Sequence, residues 1–377
     1  MTAVGLIFSN IHDGSIPELT RMRAIASVPF GGKYRLIDFA LSNFVNADIN
    51  KVGIITHYNY QSLLDHIGTG MDWDLARRSG GLKILPPFIT AYESAAANSV
   101  YTTRLEAVLG VTNFIDTCKE DYVVTSDCDT ICNVDISDIL KQHKATDADV
   151  TVAVKKVDPK NYPLSNYTQV IKYNDNLDVT ETADYTNEKD EVSISINVLV
   201  FKRSYLQNIL LDAAAHGYKS FYRDIISRNI GRANIKVYKY EGYYDLVASM
   251  ESYFACNMRL LENENRKKVF GIKSRPIITK VRNSPPTRYN GNAKVKDSII
   301  ADGCEIEGTV ENSVIFRGVK ISEGAVVKNS IIMQGSYIGK DASVNCVIAD
   351  KNVIIKDGRT LSGHETMPFF IGKGKMV

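Results

Sequence analysis

Residues 315–344 read IFRGVKISEGAVVKNSIIMQGSYIGKDASV. Aliphatic residues recur there in steps of six: Val326, Ile332, Ile338 and Val344 form one series, and Ile315, Ile321 and Val327 an offset one. Gly303, Gly308, Gly318, Gly324, Gly335 and Gly339 punctuate the same region. A step of six fits neither the 3.6 period of an α-helix nor the two-residue alternation of an ordinary strand. It fits a left-handed parallel β-helix, whose short strands each turn an aliphatic residue inward before the chain bends. An irregular β-sandwich would need two interleaved series to arise by chance.

Working outward, the character changes near Ser274, where Pro276, Pro285 and Pro286 mark a linker. Upstream, apolar runs at Val4–Phe8, Val52–Thr56, Tyr122–Thr125 and Val150–Val154 read as strands. Helical patterns lie between or beside them at Leu19–Ala26, Gln61–Ile67, Arg104–Thr117 and Ile136–His143. Continuous apolar strands separated by helices predict parallel β-α-β units with both sheet faces covered. The expected fold is α/β: a Rossmann-like, doubly wound domain over residues 1–255, a helix and linker over 256–290, and the β-helix over 291–377.

The chain has 377 residues with 45 Lys+Arg against 43 Asp+Glu, so no basic field invites nucleic acid. Six scattered cysteines without a C-x-x-C pair read as reduced thiols. No apolar run approaches the ~20 residues of a membrane span. Met1 to Phe8 has no basic region, so no secretory signal is expected. The expected setting is the cytoplasm, with no membrane partner. Lys155-Lys156 and Arg266-Lys267-Lys268 read as short solvated charge runs.

Ligands of such a sheet bind at the carboxyl ends of its strands. The first such loop, Ser9-Asn10-Ile11-His12-Asp13-Gly14-Ser15-Ile16, has one glycine, no Lys or Arg, and an Asp. A phosphate cradle needs the reverse: glycines that free backbone N–H groups, and a cation. Asp127 follows the third strand and is a candidate metal ligand or simply an N-cap. His57 and His66 read as packing or surface residues. Arg21, Arg23, Lys33 and Arg35 make either an anion site or a salt-bridged basic face.

The run Phe30-Gly31-Gly32-Lys33-Tyr34-Arg35-Leu36-Ile37-Asp38-Phe39-Ala40-Leu41-Ser42-Asn43, then Ile54-Ile55-Thr56-His57-Tyr58 and Asp127, resembles ADP-glucose pyrophosphorylase (glucose-1-phosphate adenylyltransferase). The β-helix completes the resemblance, which covers nearly the whole chain. The family makes ADP-glucose from ATP and glucose 1-phosphate with Mg²⁺, for glycogen or starch, in tetramers controlled by sugar phosphates and related metabolites. Against the family's Gly-Gly-x-Gly-Thr-Arg loop, this chain places Asn10, Ile11, Asp13 and Ser15 at the glycine and arginine positions. Ile25 stands where the family has a lysine, Tyr101–Glu106 lacks the family glycine, and the sugar-phosphate lysine has no counterpart near Thr180–Tyr185. The second magnesium Asp aligns with Leu246, while Asp245 is one residue off and so faces the other side of an extended segment unless a bulge intervenes. Asp13 beside ATP would add repulsion of roughly 1 to 4 kcal/mol per close pair.

The resemblance therefore implies the non-catalytic, regulatory type of subunit. Such a subunit needs no cofactor itself, with Mg²⁺ held by a catalytic partner in a hetero-oligomer, a tetramer in this family. Asp127 remains a residual metal candidate, and Arg23 and Arg35 are candidates for an effector site near the β-helix. The alternative is an active but impaired adenylyltransferase. A hexapeptide acyltransferase would have only His364 to use in the C-terminal region, and a translation-factor-like scaffold fits the Phe30–Asn43 segment less well.

Overall fold

The computed structural model describes residues 2–86, 101–160, 162, 164–165, 167–187 and 190–377, so Met1 lies outside the described residues. The N-terminal unit contains β1 (Ala3–Phe8), the hairpin β2 (Pro29–Phe30) and β3 (Tyr34–Arg35), β4 (Lys51–Ile55), β5 (Gly81–Leu85), β6 (Tyr122–Asp127) and β7 (Thr130–Cys132). It continues with β8 (Val150–Val157), β9 (Gln169–Tyr173), β10 (Val179–Asp184), β11 (Val192–Lys202), β12 (Ile235–Lys239) and β13 (Tyr244–Leu246). Its helices are α1 (Pro17–Thr20), α2 (Ile37–Val45), α3 (Gln61–Ile67), α4 (Arg104–Leu109), α5 (Thr112–Asp116), α6 (Ile136–Ala145), α7 (Arg203–His216), α8 (Met250–Arg259) and α9 (Asn263–Phe270).

The main sheet runs β10-β9-β11-β6-β1-β4-β5, with β8 and then β12 joined at β11. Strands β6, β1, β4 and β5 are parallel, as the apolar runs predict. Strand β11 is antiparallel to β6 and β8, so the sheet is mixed. A run buried on both faces carries no direction, which is why the antiparallel strand escaped the pattern. One apolar layer packs Ile37, Leu41 and Phe44 of α2 with α6 residues against the sheet. The opposite layer packs α4, α5 and α7. A Cβ on Gly5 would meet the Phe44 ring at 2.6 Å, so α2 can lie flat on β1 only there.

Two expected helices differ. Leu19–Ala26 is the short α1 followed by a 3₁₀ turn at Ile25–Ser27. Ala24 N–H donates to Asn59 O and Ile25 N–H to Asp13, which removes the helical hydrogen bonds. Arg104–Thr117 breaks into α4 and α5 at Gly110-Val111.

The C-terminal unit is the left-handed parallel β-helix, three five-stranded parallel sheets wrapped around one core. Between Thr309 and Ser362 its coils repeat at 17 residues, after a coil of 15: Ile315 pairs with Ile332, Ile321 with Ile338 and Val327 with Val344. The inward series is thus Ile315, Ile321, Val327, Ile332, Ile338, Val344, two steps of six and one of five per coil. Val326, placed in the inward series by its spacing, is only half-buried while Val327 carries the core. The first β-helix strand is Arg288–Tyr289, inside the stretch read as linker, and α8 runs across residue 255.

The Phe30–Asn43 segment joins the two units. Gly31 and Gly32 turn the β2–β3 hairpin with φ of 58° and 85°. At Gly32 a Cβ would stand 3.1 Å from Ile299, the β-helix side. Tyr34 stacks on Phe270 at 4.8 Å, and one apolar cluster runs from Phe30 and Phe39 to Val314, Ile331 and Ile348.

Candidate functional site

The carboxyl ends of β1 and β6 carry the site. After Phe8, Asn10 is buried and ties the loop shut: its Oδ1 accepts from Ser9 and Thr56 at 2.6 and 2.8 Å, and its Nδ2 donates to Asp13 at 2.7 Å. Asp13 also accepts the Ile25 N–H at 2.7 Å. Burial raises its carboxyl to about 6, with Asn10 and the Ile25 N–H pulling the other way. Asp13 is thus turned into the loop, where the sequence suggested an acid facing phosphate. The residues that do line the adjoining cleft of about 540 Å³ include Ile11, His12 and Ser15. Ile25, in place of a lysine, is 2% exposed and packs in the core.

Across the cleft, Thr103 caps α4 in a reciprocal pair with Glu106. This fixes Arg104 at the first helical position, aimed at the end of β6. Arg104 Nε donates to both oxygens of Asp127, at 2.9 and 3.0 Å, and Nη2 adds a third, short contact. Burial opposes the Arg104 charge, but the Asp127 carboxylate outweighs it and holds the guanidinium protonated. Beside them His12 Nδ1 bonds Asp129, and its ring stacks on Tyr167 at 5.9 Å. Burial would raise the Asp129 carboxyl, yet His12 and Arg104 hold it below the ordinary value. Asp129 Oδ1 has no hydrogen-bond partner among the described residues.

His12, Asp127 and Asp129 offer donor atoms within 4.8 Å of one another, close enough to share one metal ion. The donor set nevertheless does not suit Mg²⁺, which demands near-octahedral oxygen ligation. Both Asp127 oxygens are taken by Arg104, Asp129 Oδ2 is taken by His12, and Leu246 lines the same small cavity as His12 and Asp129. The in-register pairing Asp245–Ile131 and Leu246–Thr130 leaves no bulge to rotate the strand. Asp245 faces away and pairs with Arg259 at 2.6 Å. Asp127 is therefore neutralised by a side chain of its own chain. The sequence singled out Asp127 but missed Arg104, His12 and Asp129; the Thr103-x-x-Glu106 cap was the one local signal for where Arg104 would point. Asp184 and Lys219 also line the cleft, so the only charge that β10 brings there is acidic.

The effector candidates lie together at the junction with the β-helix, but they are used differently. Arg23 is 4% exposed and forks onto Asp350 at 2.6 and 2.9 Å, so it is an internal ion pair. Arg35 donates to Ser62 and is lowered to about 10, chiefly by burial. It faces a polar cleft shared with Arg282, Arg317 and Lys351. Burial, then Arg35 and Arg23, push the Lys351 ammonium down to about 7. His66 is buried and bonded to Asp38 at 2.6 Å, a packing role as expected. Among the described residues no helix is long and apolar enough to cross a membrane.

Comparison with known proteins gives one consistent result. Residues 16–263 match the nucleotidyl transferase family and residues 285–366 the GlmU-like C-terminal hexapeptide family. Over 373 residues the chain is 31% identical to the glycogen biosynthesis protein GlgD of Bacillus subtilis strain 168, covering 98% of this chain and 96% of that one. It is 32% identical over 358 residues to the glucose-1-phosphate adenylyltransferase of Bacillus thuringiensis strain Al Hakam, covering 94% and 93% of the two chains.

Proposed function

This chain belongs to the glucose-1-phosphate adenylyltransferase family of nucleotidyl transferases, and we propose that within it the chain is a regulatory, largely non-catalytic subunit. It assembles with a catalytic subunit, as a cytoplasmic heterotetramer, and modulates the synthesis of ADP-glucose from ATP and glucose 1-phosphate for glycogen. The observation that carries this reading is the Arg104 guanidinium seated on Asp127. An internal cation there replaces the metal, so this chain needs no cofactor and the Mg²⁺ belongs to the partner. The Asn10–Ser15 loop supports it, since it brings no Lys or Arg to a triphosphate and its Asn10 and Asp13 side chains are spent on each other and on the Ile25 N–H.

The intact junction supports the regulatory half. Phe30–Asn43 keeps the hairpin that seats the β-helix, and Arg35, Lys351 and Arg282 gather positive charge at that junction, which supports an anionic effector there. Such an effector acts only by binding the activated assembly more tightly than the resting one.

The test is co-expression with a family member that has the intact glycine loop. Co-purification of the two chains, with a raised kcat or a lowered substrate KM, is the expected result. A catalytic subunit indifferent to saturating amounts of this chain overturns the reading. The alternative, an active but impaired adenylyltransferase, draws on the open cleft and its Lys219. Pyrophosphate release by this chain alone that disappears in Lys219→Ala would favour it.

A further inference from the structure

Behind β13, on the face opposite His12 and Asp129, lies a second cleft of about 780 Å³. Leu246 looks into the first site, and Asp245 into this one. We propose that the second cleft binds a phosphorylated ligand with a flat ring, in chemical class a nucleoside phosphate. The proposal does not rest on whether the first site is catalytic.

Its size falls within the range of about 300–1,000 Å³ typical of small-molecule sites. The charges in its wall do not cancel. Asp245 is used by Arg259 and Asp135 by Arg275, each at 2.6 Å. Lys155, Lys239 and Lys268 then face only Glu241. Two of these lysines belong to the charge runs that read as solvated surface in the sequence, yet Lys155 is half-buried. Its Nζ donates to Gly242 O at 2.7 Å and lies 5.7 Å above the Tyr240 ring. An ammonium has three donors, so Lys155 retains capacity for an anion. Burial and the nearby Lys268 lower the Lys155 ammonium, with Glu241 opposing, and an incoming phosphate would relieve that crowding.

Aromatic surface stands beside the charge. Tyr162 and Tyr243 are half-buried in the same wall, with ring area available to a flat group. Two buried polar atoms in the wall also lack partners among the described residues. Asn133 is 2% exposed, and its Nδ2 donates to the carbonyls of Val269 and Arg275, both at 2.8 Å. That orientation leaves Asn133 Oδ1 as the acceptor, and among the described residues neither it nor Arg275 Nε has a hydrogen-bond partner. Buried polar groups are rarely left bare, and here one acceptor and one donor are bare in a single cleft. A base or ribose offers donors and acceptors together, whereas inorganic phosphate brings no flat ring for the tyrosines and a neutral sugar leaves the lysines unmatched. Asn133 directly follows β7 and Asp129 directly precedes it, so one three-residue strand separates the two sites.

Calorimetry on the full chain with AMP, adenosine and inorganic phosphate tests the proposal. AMP should bind at one site per chain, about tenfold or more tighter than either fragment. Lys268→Glu, on the exposed face of α9, should weaken AMP about tenfold, and Lys239→Glu serves if that variant does not fold. Arg104→Ala and Arg35→Ala should leave AMP binding unchanged. No saturable AMP binding at millimolar concentration overturns the proposal. So does phosphate matching AMP, or binding that is lost in Arg104→Ala or Arg35→Ala but survives Lys268→Glu.

Discussion

Arg104, at the first turn of α4, and Asp127, the last residue of β6, are joined by hydrogen bonds of 2.9 and 3.0 Å from one guanidinium nitrogen and by a further contact from another. The pair is almost withdrawn from solvent, with side-chain exposures of 14% and 3%. The Asp127 carboxylate already has a fixed, permanent cation. Arginine cannot release that charge at any physiological pH, which distinguishes this arrangement from a vacant metal site.

Freeing that carboxylate should create metal binding. Parent protein is expected to leave the Mn²⁺ electron paramagnetic resonance signal unchanged. The double variant Arg104→Gln, Leu246→Asp should quench it, because it releases Asp127 and adds a carboxylate beside Asp129. Equal Mn²⁺ uptake by parent and variant would show that Arg104 does not block the site.

Turnover by the isolated chain should be at least about 10³-fold below that of relatives with an intact loop, since losing one oriented donor typically costs about 10²–10³ in kcat. Pyrophosphate release measured side by side checks this. Rates within tenfold of such a relative would contradict it.

Arg23 and Asp350 join the two units through an ion pair with exposures of 4% and 3%. Arg23→Ala leaves a buried carboxylate without its cation, held among the described residues only by the Lys351 N–H, and should destabilise the protein by about 3–5 kcal/mol. Arg23→Met with Asp350→Leu should recover most of that loss. Denaturant melts of the three proteins decide it, and a double variant no better than Arg23→Ala would refute the explanation.

His143 in α6 donates or accepts at Thr151 Oγ1 at 2.7 Å, while its Nε2 has no partner among the described residues. Burial, then Lys202, lowers it to about 4, against Asp149 and Asp147. The unfolded chain therefore binds more protons than the folded one between about pH 4 and 6.5. Stability is full above that window and is lost as pH falls through it, by about 2 kcal/mol from pH 7.5 to pH 5. His143→Gln should flatten that part of the stability profile; an unchanged slope would assign it to other groups.

Lys351 titrates near 7 in the cleft with Arg35. Sulfate keeps a constant charge between pH 6 and 8, so its stabilisation of the protein should be stronger at pH 6, where Lys351 is charged. Lys351→Met should remove this pH dependence and Arg35→Ala should weaken sulfate at both values. Melting temperatures with and without sulfate measure it.

Periodicity carried the architecture because it reports burial directly. Aliphatic steps of six can be satisfied only by short strands with three faces, and continuous apolar runs only by a sheet covered on both sides. Both Val326 and Val327 sat in series of six, and the spacing could not choose between them, because the five-residue step from Val327 to Ile332 belongs to a corner whose geometry no side-chain pattern encodes. The loss at Leu246 was legible for the same kind of reason: a strand alternates faces, and one position of offset turns Asp245 away.

What the sequence alone determined is the pair of units, the family, and a first loop of one glycine with no Lys or Arg; the resemblance set Asn10, Ile11 and Asp13 against family glycines and Ile25 against a lysine. A missing residue is a local fact, readable one position at a time. What fills the gap is not local. Asp13 turns inward because Ile25 N–H waits for it, and Arg104 reaches Asp127 across the cleft from a different layer. Arg23 is spent on Asp350, 327 positions away, while Lys351 takes up the cationic role beside Arg35. Those pairings depend on distances and desolvation that exist only once the sheet and the β-helix have packed, so the tertiary structure alone decided which charges remain free.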